Sequence, residues 1–109
     1  MRILLAVSPL MYRETLAHVI RTNRPNTQVH LAEPEDLARE AASLGPHLIV
    51  CSADAREVPG VGVPSWVVLR YQNHMSASVL LDGRDPYLIE DISIEDLLRV
   101  IDETQRPVA

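Results

Sequence analysis

Lysine is missing from this 109-residue chain; all ten basic residues are arginine. Neither a phosphate-loop lysine nor a Schiff-base lysine can therefore operate here. Cysteine occurs once, as Cys51, which excludes an internal disulfide and a multi-cysteine zinc site and fits a reducing compartment. Aromatic residues are four: Tyr12, Trp66, Tyr71 and Tyr87. Long apolar runs are absent too. The opening MRILLAV is too short for a secretory core and has no small-residue cleavage site after it, and no other run approaches the roughly 18 residues of a membrane span. The sequence thus predicts a cytoplasmic protein with no membrane attachment. Net charge of −5 and a pI near 5.2 leave no basic footprint for nucleic acid, and Arg13, Arg21 and Arg24 read as a solvated helix face. His18, His30, His47 and His74 fall in separate segments without paired helical spacing, so neither a metal nor another cofactor is expected.

Against these absences stands 47% hydrophobic content, enough for one core and one domain over residues 1–105, with 106–109 as a frayed tail. RILLAV (2–7) reads as a strand covered on both faces. Ser8 then predicts an N-cap and Pro9 the first position of a helix running to about Thr22, with Leu10, Leu16, Ala17, Val19 and Ile20 on one side. TQVHLAE (27–33) is a strand nearer the edge. Pro34 opens a second helix, with Glu35 and Asp36 in its first turn and Gly45 at its C-terminal end. HLIVCS (47–52) is the third strand. Only residues 53–64 separate it from SWVVLR (65–70), so a full third helix gives way to an extended loop or a single turn. SVLLDGRDPYLIED (78–91) has hairpin composition around Asp82, Gly83 and Pro86. Ser93 and Asp96 form the two halves of a capping box, Ile92 staples against Leu97, and Ile94, Leu97, Leu98 and Ile101 predict the sheet-facing stripe of a last helix.

In order and spacing, SPLMYRETL (8–16), PHLIVCS followed by VPG, and YLIEDISIEDLLRVI (87–101) resemble a response-regulator receiver domain, of the kind that precedes a helix-turn-helix output domain. The resemblance spans nearly the whole chain. It implies a three-layer, flavodoxin-like α/β sandwich with a mainly parallel five-stranded sheet, here with a shortened third and an altered fourth helix. It also implies bacterial two-component signalling. Receivers transfer a phosphoryl group to an aspartate, with acidic residues holding Mg²⁺ and a hydroxyl and a lysine neutralising the phosphoryl oxygens. Carried over position by position, the acidic pair falls on Val7 and Ser8, the phosphoacceptor on Ser52, the hydroxyl on Arg70 and the lysine on Glu90. Every functional position is replaced, as in a degenerate pseudo-receiver.

The remaining candidates are weighed against ordinary structural roles. Cys51 sits in an apolar strand, where cysteine behaves as a small core residue. Ser52 lacks the flanking glycines of a nucleophile elbow. Ser8, Ser52, Asp54 and Arg70 could together form an anion or small-ligand pocket at the carboxyl edge of the sheet, although pairing of Arg70 with Asp54 or Glu90 is the stronger reading. A parallel sheet short of a helix leaves apolar surface to be covered, which predicts an interface drawn from Val58, Val61, Trp66, Tyr71, Val79, Leu81 and Tyr87. The expected function is a non-catalytic, phosphorylation-independent regulatory module, acting on a protein partner in trans or as a homodimer. A ligand sensor is the alternative, and an unconventional phosphoacceptor at Ser52 or Asp54 a third.

Overall fold

The apolar run after Met1 forms β1 (Arg2–Ala6), buried from Ile3 onward, as expected of a strand with neighbours on every side. A computed structural model of the chain describes residues 1–52, 65–71, 75–81 and 85–105. Beside β1 lie β2 (Gln28–Leu31) and β3 (Leu48–Ser52), both parallel to it, and β4 (Ser65–Tyr71) continues the parallel set next to β3. The chain then reverses twice. β5 (Met75–Leu80) runs antiparallel to β4, and β6 (Tyr87–Glu90) antiparallel to β5, which gives a six-stranded mixed sheet in the order β2-β1-β3-β4-β5-β6.

This corrects the expected five-stranded, mainly parallel flavodoxin-like sandwich. The cause is connection length. Residues 72–74 alone separate β4 from β5, whereas a parallel crossover needs about a dozen residues, so the altered fourth helix has no room and a strand takes its place. The hairpin expected over 78–91 is present as β5 and β6, with its first arm starting earlier, at Met75. Residues 53–64, where a loop or single turn was expected, and the tail 106–109 lie outside the described residues.

Among the described residues three helices pack on the sheet: α1 (Leu10–Asn23), α2 (Leu37–Leu44) after a 3-10 turn at Pro34–Asp36, and α3 (Ile94–Gln105). Ser8 does not cap α1. The helix begins at Leu10 with Pro9 in the capping position, the Ser8–Pro9 peptide is cis, and there is no side-chain capping bond. Leu10 is exposed rather than part of the apolar stripe, and Arg13 takes the buried place above Leu16, Ala17 and Ile20. In α3 the capping box is complete: Ser93 N–H donates to Asp96 Oδ2 at 3.0 Å and Asp96 N–H to Ser93 Oγ at 3.1 Å. Leu97, Leu98, Val100 and Ile101 are buried, and Ile92 packs against their cluster; Ile94, expected inside, is exposed.

Strand alternation divides the core into two layers. Ile3, Leu5, Leu48, Val50, Val67, Leu69, Ala77 and Val79 face α1 and α3, while Leu4, Ala6, Ile49 and Cys51 face Leu37 and Ala41 of α2. α1 and α3 are also joined directly, by a two-pronged contact from Arg24 Nε and Nη2 to the Asp102 carboxylate at 2.7 and 2.8 Å. The α2 layer is narrower than the sheet it covers. Trp66 and Val68 are half-buried at its margin, and further out Leu80 and Leu88 stay 44% and 57% exposed.

Candidate functional site

At the carboxyl ends of β1 and β3, the Ser8 backbone N–H donates to Ser52 Oγ at 2.9 Å. β1 has β2 on one side and β3 on the other, so this is the point where the order of an open α/β sheet switches and ligands usually bind. The resemblance put an acidic pair here, on Val7 and Ser8. Instead, the α1 residue Arg13 donates Nε–H to the Val7 carbonyl at 2.9 Å and reaches both Glu33 oxygens through its two Nη atoms at 3.3 Å. Arg13 is 4% exposed and Glu33 52% exposed, so the cation is held inside and its carboxylate partner faces water. Of the other two arginines expected on a solvated face, Arg21 is exposed, with Nη2 donating to the Val29 carbonyl at 2.7 Å, while Arg24 is half-buried and committed to Asp102.

Two of the four expected pocket residues, Ser52 and Arg70, lie on opposite faces of the sheet. Ser52 pairs with Leu69, and Ser52 and Leu69 follow the strand positions that face α1 and α3. Arg70, one residue on, therefore lies on the opposite face. There it stands beside Ser76, which in turn stands beside Glu90, in one row across β4, β5 and β6. Among the described residues neither Arg70 nor Glu90 makes an ion pair. Asp54 lies outside the described residues, and Cys51 is fully buried in the α2 layer. No three histidine, cysteine, aspartate or glutamate side chains among the described residues are grouped to hold a metal.

The interface candidates also divide. Val79 and Leu81 are buried in the layer under α1 and α3, which removes them as surface contacts. Trp66 stays on the α2 side, half-buried, while Tyr87 is exposed on the other side beside Val79. Val58 and Val61, and the Tyr71 side chain, lie outside the described set. The residues that expose most apolar area on the α2 side of the late strands are Leu80 and Leu88, which composition alone did not single out. Two-residue alternation was the available signal: with Ala77, Val79 and Leu81 inside, Ser76, Ser78 and Leu80 must point the other way.

On that side the three strands form a small grid. Trp66 is paired with Leu80, Val68 with Ser78 and then Leu88, and Arg70 with Ser76 and then Glu90. One end is apolar, the other charged, and serines occupy the middle. No helix among the described residues is long and apolar enough to cross a membrane. A scan of protein-family models, a search of curated proteins and a search of solved structures each find nothing that matches this chain.

Proposed function

We propose that this chain is a non-catalytic regulatory module that works in the cytoplasm by binding protein, without phosphorylation. The carrying observation is the α2-side surface of β4, β5 and β6, where Leu80 and Leu88 lie exposed beside the half-buried Trp66, Val68 and Ser78. Burying apolar surface stabilises association by roughly 25 cal/mol per Å², and a sheet face left open is where a partner gains most. The receiver resemblance supports a role in bacterial signalling, through the parallel order β2-β1-β3-β4 that the first half shares with such domains. The competing anion pocket loses its cation, since Arg70 and Ser52 lie on opposite faces.

Photo-crosslinking tests this reading. A benzophenone side chain placed at position 80 or 88 is expected to give discrete adducts in cells, and the same group at Arg39, exposed on α2, is expected to give none. Equal labelling from all three positions would remove the binding-face assignment.

A further inference from the structure

Resting on the binding-face reading above, we infer that the occupant of this face is a second copy of the same chain, packed face to face about a two-fold axis that runs along β5. Two rows of the grid run across all three strands, and both are self-complementary under that operation. Rotation about this axis, which lies between the two sheets and parallel to β5, sets β4 of one protomer opposite β6 of the other and leaves each row opposite itself. Arg70 then meets Glu90 of the copy and Glu90 meets its Arg70, two equivalent ion pairs for the two side chains that have none within the described residues of one chain. Val68 meets Leu88, so apolar side chains meet apolar ones, and Leu80 lies on the axis against itself. Ser76 and Ser78 also lie on the axis, small enough to let the sheets approach to about 10 Å. A two-fold interface requires this property, because each residue must suit its partner's position and the reverse.

Size sets the strength. Three short strands about 4.8 Å apart offer less than the roughly 800 Å² per partner of a standard interface, so the dimer is weak and concentration-dependent. Its charge pairs fix register and orientation more than they add affinity.

Sedimentation equilibrium of purified protein from micromolar to millimolar concentration, with two single variants, tests the arrangement. Wild type is expected to dimerise. Arg70→Glu and Glu90→Arg each place like charges opposite one another twice, and each is expected to weaken self-association by roughly tenfold or more. An equimolar mixture is expected to dimerise at least as well as wild type, because both contacts between unlike protomers become opposite-charge pairs. Net charge is controlled for: the first variant moves the chain from −5 to −7 and the second to −3, yet both should weaken association. Circular dichroism checks that each variant is folded, and recovery in the mixture is a gain that misfolding cannot imitate. Monomeric wild type at about 1 mM, single variants that associate like wild type, or a mixture no better than its components would each overturn the proposal. In the first case, crosslinks from positions 80 and 88 to a different protein would still leave the binding-face reading standing.

Discussion

Gly45 closes α2 with φ of +61°, its N–H donating to the Ala41 carbonyl at 2.9 Å and its own carbonyl accepting from the Arg2 guanidinium at 3.0 Å. A side chain there has room, since the nearest heavy atom to an added Cβ is 4.0 Å away, so the cost of Gly45→Ala is conformational. We expect a loss of about 1 kcal/mol and a fall in Tm of roughly 4–8 °C, with Gly45→Asn milder. An unchanged Tm for the alanine variant would show that the left-handed cap is not maintained in solution. This glycine was legible in sequence because its position after a helical pattern has one common meaning. Arg13 was equally available and was misread: it precedes Leu16, Ala17 and Ile20 by three, four and seven residues, which is the spacing of a buried face. Charge suggested solvent, while the carbonyl of Val7 and the carboxylate of Glu33 supplied the partners that let the guanidinium go inside.

For whole elements, α3 was the most readable because its start, its staple and its stripe agree. The Asp96 carboxyl is held below the usual carboxylate range, first by the backbone hydrogen bond at Ser93, then by the Ser93 hydroxyl and by Arg99. A carboxyl with a lowered folded pKa stabilises fully above its unfolded pKa, about 3.9, and that contribution disappears as pH falls through the folded value. Asp96→Asn should therefore be less stable than wild type at pH 7, with the two converging as pH drops below about 4. Urea titrations across that range check the convergence, and a constant gap would assign the effect to something other than ionisation. Ser93→Ala removes the other half of the box and should cost about 1 kcal/mol. The strand β5 was harder to see. MSASVL alternates only weakly, and the direction of a strand is decided by the length of its connection more than by its own residues.

Across the whole molecule, protection should follow the order of the sheet. β1 and β3 have strands on both sides and helices on both faces, whereas β6 is a four-residue edge with an exposed leucine. Native-state hydrogen exchange is expected to be slowest for amides of Ile3–Ala6 and Leu48–Cys51 and fastest among the strands in β6. Uniform protection from β1 to β6 would contradict a core centred on the first parallel strands. Sequence conveyed that centre through its continuous apolar runs, and it could not convey the outer half. There, coverage depends on which surface meets which, a property that short amphipathic strands leave open until the chain is folded.

The clasp between Arg24 and Asp102 has a consequence for synthesis. Leu97, Leu98, Val100 and Ile101 complete the same layer as Ile3, Leu16 and Val67, so β1, α1 and β4 lack one wall until α3 emerges. A nascent chain halted before Ser93 exposes that layer to solvent and to chaperones. β1, α1 and α3 thus mature together, and that layer is not finished before α3 is in place.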